Sequence, residues 1–361
     1  MLGLKLNGDG SIETTLCSIE ELFDIAKRLF SSTLANEFLH YDPNWLAVHY
    51  ADSCLQWLNS PDDALRAPYE IIHDYRSYPL MDWGKFVFKG KYNFPHELAE
   101  VKSIMERKFR KMGRLYKGDN SCPRVSNIKT EQHTLLLEIQ KACYYDQVAT
   151  NLSLDYKHEA KIAQHLGYST IRDWDIAQSN TPKGQLPSLV KSRLANTIGV
   201  ALGIVATDKH GRKMLLTRER TSSVAVYSKM LHLPFSFALN FDSNQLKENY
   251  CGTLQEPIKP DFRHEQAQEL GLEPADIDFN QIKPLLFCRD LCRGGKPQFF
   301  LDVELKIPYE DLLKKIVEQS SPKNEFKAQP FGLTLQQAVK DTHHFSPELL
   351  AYVILKMQDN N

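Results

Sequence analysis

Glu265 and Glu269 stand four residues apart in HEQAQELGL (264–272), with Gln268 just before the second acid. On a helix, positions i and i+4 share a face, so both carboxylates reach one point without any bend in the backbone. Two carboxylates and an amide oxygen make a hard donor set suited to Mg²⁺ or Mn²⁺, which take their remaining positions from water and phosphate oxygens. An ion held this way neutralises a diphosphate and activates a water for attack. The plainer reading keeps the three polar residues as the wet face of an amphipathic helix, with Phe262, Leu270 and Leu272 packed inward.

Glu256 lies eight residues before His264, and Gly271 with Leu272 closes the helical stretch. Together these positions resemble the signature of the Nudix hydrolases. The resemblance covers about residues 190–360 and implies a Nudix-like α/β/α sandwich with a mixed sheet. It implies metal-ligand roles for Glu265 and Glu269, with Gln268 as a third donor. Glu256 would orient the helix or share the ion, which makes Glu256, Glu265 and Glu269 the catalytic candidates. His264, Arg218 and Phe235 are the candidate contacts to a nucleotide-type small molecule. The chain departs from the signature at His264 (arginine in the family), Gln266 (apolar), Gln268 (a third glutamate) and Tyr250 (the initial glycine). A single imidazole nitrogen cannot reproduce the two-pronged arginine clamp on a carboxylate. The implied activity is recognition of a nucleoside diphosphate derivative, with metal-dependent hydrolysis as its reaction.

A second chemistry is open to the first half. Lys102, Arg107, Lys108, Arg110, Lys111 and Arg114 crowd one helical stretch, with further lysines and arginines out to Lys129. Basic residues at such spacing contact phosphates, and Arg107, Lys108, Arg110, Lys111 and Arg114 are the nucleic-acid candidates. The plainer reading is a solvated helix surface. HEAKIAQHLGYSTIRDW (158–174) has the cadence of a helix-turn-helix, but Asp173 falls where a buried aliphatic is expected, which favours an ordinary helix pair. A metabolite-sensing regulator that grips nucleic acid through this half is the rival to the hydrolase.

His158-Glu159 is not a zinc-protease motif, because the next histidine, His165, lies seven residues on. His343 and His344 read as a capped loop ahead of a helix, with a general-base role as the alternative. No Ser/His/acid arrangement is visible. Cys288 and Cys292 are the closest cysteine pair, and no second pair matches them as zinc ligands.

The elements that must position these groups change texture along the chain. Helical spacing marks 18–39 (Ser18 as cap, Glu21 three residues on), 44–59, 95–116 and 130–152. All four tryptophans fall in this half and suggest a core of its own. SNTPKGQLPS (179–188) reads as a linker. Beyond it come a hairpin turning at Asp208 to Gly211, strand material broken at Pro234, the carboxylate helix, two strands turning at Gly294-Gly295, and two closing helices. The expected class is α+β: a mainly helical N-terminal domain (1–178), a linker (179–188) and a Nudix-like domain (189–361).

Seven cysteines spread over 361 residues, an odd count, argue against a disulfide framework and for reduced thiols in the cytoplasm. A net charge of −1 gives no overall pull toward polyanions, and no apolar run approaches membrane-spanning length. The first residues lack the pattern of a secretory signal.

Overall fold

The computed structural model describes residues 2–6, 12–16, 37–79, 83–116, 118–131, 134–221, 224, 226–240, 250–270, 272–273, 275–319, 331–340 and 342–359. Within these, residues 2–6, 12–16, 131, 264–269 and 317–319 are described by their backbone alone. Of the expected helix at 18–39, residues 18–36 with the cap at Ser18 lie outside the described residues, as does the helix-closing Gly271, and 37–39 are described but not helical.

Strands β1 (Leu2–Leu6) and β2 (Ile12–Leu16) pair as a separate antiparallel ribbon. The first half then runs α1 (Pro43–His49), β3 (Trp57–Asn59), β4 (Arg66–Asp74), β5 (Lys85–Lys91), α2 (Ala99–Lys111), β6 (Ser121–Glu131), β7 (Thr134–Cys143), α3 (Tyr144–Ala149), α4 (Ala160–Leu166) and α5 (Ile171–Gln178). The second half supplies β8 (Gly199–Thr207), β9 (Lys213–Glu219), β10 (Leu231–His232), β11 (Phe235–Ala238), β12 (Cys251–Thr253), α6 (Gln255–Leu270), β13 (Lys283–Asp290), β14 (Lys296–Leu305), α7 (Tyr309–Gln319), β15 (Phe331–Thr334), α8 (Leu335–Lys340) and α9 (Pro347–Asp359).

Among the described residues the larger sheet has nine strands in the order β10-β9-β8-β14-β13-β4-β3, with β11 also on β8 and β15 on β9. β8 runs parallel to β14, Gln298 opposite Gly199, while its other edge is shared by β11 and β9. Strand alternation sends successive side chains to opposite faces. Val200, Leu202, Phe299 and Leu301 meet Ile258 and Phe262 of α6 and Leu312 and Ile316 of α7. Ala201, Val205, Phe300 and Cys288 meet α8 and α9 on the other side. The mixed sheet thus lies between two helical layers, and the α+β class holds.

A four-stranded sheet, β12-β5-β7-β6, packs Phe86, Leu135, Leu137 and Ile139 into the same core as α6. The stretch 130–152 is therefore not a helix but the end of β6, all of β7 and the short α3. Residues 134–140 bury alternate positions, a period of two that the run LLLEIQ conceals because an apolar run fits both patterns. The helix expected over 44–59 stops at His49, and residues 57–59 form an edge strand. The helix expected over 95–116 is borne out as far as Lys111 by α2 and the 3₁₀ turn before it, burying Val101, Met105 and Phe109, and it stops short of 116.

Nor does the stretch 179–188 divide the sheets between the halves. β4 pairs β13 and β5 pairs β12, so both larger sheets take strands from either side of it. The segment itself is pinned: Asp52 N–H donates to Gly184 O, Leu186 N–H to Ser53 Oγ, and Arg289 Nη2 to Pro187 O. The four tryptophans do not share a core either. Trp174 packs with α2 to α5, Trp83 with the sheets, and Trp45 of α1 and Trp57 against a fourth, smaller cluster.

Candidate functional site

α6 carries the glutamate pattern as one continuous helix over Gln255–Leu270. It holds despite Pro260, which removes one main-chain donor. Ile258, Phe262 and Leu270 are buried and bind the helix to the core, where the Phe262 ring lies 4.9 Å from that of Phe235 on β11 and 5.6 Å from Phe279. Glu265, Gln268, Glu269 and His264 all lie on α6, and their side chains are outside the described atoms. By helical period, positions 265 and 269 continue the line of positions 258 and 262.

Glu256 stands in the first turn of α6, where its carboxylate accepts a hydrogen bond from Tyr250 Oη at 3.0 Å. Burial, reinforced by that bond, pushes the tyrosine hydroxyl up to about 12. Asp261, five residues on, accepts from Asn240 N–H at 2.5 Å, and burial raises its carboxyl to about 7. Arg218 is buried on β9 opposite His232. Phe235 is a core residue, 1% exposed, so its part is to seat the helix rather than to touch a ligand in this state. Beside α6, a cleft of about 230 Å³ lies between Lys259, Phe262 and Arg263 of the helix and Asp278, Phe279 and Asn280 of the following loop.

On the opposite face of the larger sheet the structure assembles a buried ionic cluster that the sequence reading missed. Arg293 pairs with Asp290 (2.5 Å) and Glu348 (2.8 Å), and Glu348 in turn meets His232 (3.2 Å) and Ser236 Oγ (2.6 Å). His232 Nδ1 lies 2.6 Å from Ser346 Oγ. A serine, a histidine and a carboxylate are thus in contact, contrary to expectation. All three side chains are buried, and Ser346 Oγ also accepts from Leu349 N–H as the cap of α9. The arrangement ties β10 and β11 to α9. His232 and Ser236 lie more than a hundred residues from Ser346 and Glu348, and no local pattern announces the contact.

The remaining candidates fall elsewhere. On α2, Lys102 pairs with Asp146, and Lys108 with Glu37 and Tyr156 Oη, while Arg107, Arg110 and Lys111 are exposed and Arg114 is half-buried. α4 and α5 form the expected helix pair, with Gly167 left-handed at φ +75° and Thr170 capping α5. α5 buries Ile171, Arg172, Trp174, Asp175 and Ile176, and its Arg172 grips Asp155 with both prongs. It leaves little free face for a groove. His343 and His344 are exposed and precede the capped α9. Cys288 and Cys292 are fully buried, and Cys288 Sγ donates to Gln298 O. Among the described residues no group of three or more His, Cys, Asp or Glu is placed to hold a metal ion, and no helix is long and apolar enough to cross a membrane.

No family model matches the chain, and no curated protein matches it. Solved structures similar to it include DR0079 from Deinococcus radiodurans (16% identity, 45% of this chain and 83% of that one, TM-score 0.28). A Nudix hydrolase from M. smegmatis, RenU, is 12% identical over 46% of this chain and 86% of its own, at TM-score 0.25. The C-terminal domain of mouse MUTYH, solved with human PCNA, is 8% identical over 45% and 87%, at TM-score 0.26.

Proposed function

We propose that this chain recognises a nucleoside diphosphate derivative through a divalent cation held by α6, and that hydrolysis of the diphosphate is the reaction the site performs. The observation that carries the reading is α6 itself. Positions 256, 265, 268 and 269 ride on one unbroken helix, whose Ile258 and Phe262 are locked into the core against Phe235. A rigid element is what a metal-binding constellation needs. The donor set is all oxygen and fits Mg²⁺ or Mn²⁺, with Glu265, Gln268 and Glu269 as the residues that would hold it. Such an ion supplies charge neutralisation at the diphosphate and lowers the pKa of a bound water. Glu256 fixes the start of the helix through Tyr250.

The test is direct. Mn²⁺ is titrated into the full chain and into Glu265→Gln/Glu269→Gln by isothermal calorimetry, and nucleotide sugars, dinucleotides and nucleoside triphosphates are screened for turnover. Wild type should bind the ion at least about tenfold more tightly than the variant, and only wild type should release product. Equal metal affinity with no turnover in either protein overturns the reading.

A further inference from the structure

A second cavity, of about 610 Å³, opens between β5, β6, β7 and residues 190–193. Four cationic side chains line it, Lys89, Arg124, Lys191 and Arg193, against one carboxylate, Glu138. The whole chain is close to neutral, so this excess is local. Two of the five charges are already answered: Arg193 meets Glu97 at 3.3 Å, and Glu138 accepts from Lys129 at 2.7 Å. Lys89, Arg124 and Lys191 have no carboxylate in contact among the described residues.

Arg124 is the unusual member. It is 6% exposed, and its three hydrogen bonds all go to neutral oxygens: Nε to Leu194 O (2.9 Å), Nη1 to Gln140 Oε1 (2.8 Å) and Nη2 to Ser192 O (2.6 Å). Tyr92 stacks its ring 4.9 Å from the guanidinium carbon. Burying a guanidinium among neutral partners is costly, and burial pulls its pKa below the usual arginine value. Three of the five donors of a guanidinium are used, which leaves one on each terminal nitrogen of a group held in place by the other three. Fixed in this way, the guanidinium can donate to an anion with little loss of side-chain entropy.

We infer that this cavity is a binding site for a small hydrophilic phosphate ester, such as a phosphorylated sugar or polyol, with Arg124, Lys89 and Lys191 holding the phosphate. Its volume lies within the range of small-molecule pockets, roughly 300–1,000 Å³. The rest of its wall is mainly hydroxyl and amide groups, including Ser126 and Asn127, with the exposed Val190 as its aliphatic side chain. Such a wall suits a hydroxylated body rather than a nucleobase. Arg124, well bonded, also braces residues 192–194 against β6, so the lysines are the cleaner probes of binding.

The experiment uses the full chain in EDTA, which silences any metal-dependent site on α6. Glucose 6-phosphate, pyrophosphate and inorganic phosphate are each titrated by calorimetry into wild type, Lys89→Glu/Lys191→Glu, Arg124→Lys and Glu265→Gln/Glu269→Gln. Both lysines are exposed, so the double variant should keep the wild-type circular dichroism and Tm. Wild type should bind glucose 6-phosphate more tightly than inorganic phosphate, the lysine variant should weaken it by about tenfold or more, and the glutamine variant should match wild type. Preference for the inorganic anions would show a bare phosphate site and overturn the ester assignment. Absence of binding at about 10 mM, or equal affinity in the lysine variant, overturns the site itself. Loss in the glutamine variant alone moves the anion to α6, refuting this site while the reading of α6 stands.

Discussion

Arg293 and Glu348 form an ion pair of 2.8 Å in which neither side chain exceeds 6% exposure, joining the turn after β13 to the first turn of α9. Each charge has a second partner, Asp290 for the arginine and His232 for the glutamate. Those contacts hold the Glu348 carboxyl far below the usual range, with His232 the strongest favourable influence against the cost of burial. Glu348→Gln keeps the shape and removes the charge. Because Arg293 retains Asp290, the loss should sit near the lower end of the values for broken buried pairs, about 3 kcal/mol. Urea denaturation checks it, and an unchanged midpoint would show that the pair contributes nothing net.

Gly203 on β8 lies under the Tyr352 ring of α9, and a Cβ there would fall inside the ring. Tyr352 is buried and its hydroxyl bonds Asp302, so it cannot step aside freely. Gly203→Ala should destabilise at or beyond the top of the roughly 1–3 kcal/mol range for overpacked cores. Gly203→Ala/Tyr352→Leu should recover some of that loss. Thermal unfolding of the two variants decides the matter.

Asp261 makes the seating of α6 sensitive to pH. Its carboxyl titrates at about 7 in the fold and near 4 in an unfolded chain. Between these values the folded chain keeps a proton that the unfolded chain has lost, so this group's contribution falls as pH rises from about 4 to about 7. Asp261→Asn should remove that component of the pH dependence and gain most over wild type above pH 7. A Tm series across pH 4–8 that is parallel for the two proteins would refute it.

Lys296 works in the opposite direction. It is 1% exposed, and burial, reinforced by nearby Arg293, lowers its pKa to about 7. From about pH 7 up to its unfolded value near 10.4, the unfolded chain binds the extra proton, so stability from this group rises with pH. Lys296→Met should therefore be more stable than wild type at pH 7 and below, with the gain shrinking toward pH 10. Chemical denaturation at pH 6, 7.5 and 9 measures the trend.

The second half was largely legible because its signals are local. Asp208, whose carboxylate accepts from the amides of His210 and Arg212, closes the β8–β9 turn with Gly211 at φ +78°. Pro234 separates β10 from β11, and the Gly294-Gly295 turn follows β13. The first half was misread where short strands borrow their partners from far away. β4 is completed by β13, and β7 hides its alternation in an apolar run. Of the candidate site, the helix could be read but not its surroundings. Arg124 and Lys191 line one cavity because residues 192–198 are bound to β6, through the Arg124 bonds to the carbonyls of Ser192 and Leu194 and the main-chain bond from Val125 to Asn196, contacts across about seventy residues that no window of sequence contains.

The interleaving of both halves in two sheets also bears on how the chain is made. During synthesis the open edge of β4 emerges long before β13, whose Cys288 will sit opposite Ile71. Until then a nine-residue strand offers unpaired main-chain groups to any neighbour. Nascent chains truncated before residue 283 should therefore depend on chaperones, and fragments cut at 179–188 should aggregate when expressed apart and recover solubility when expressed together.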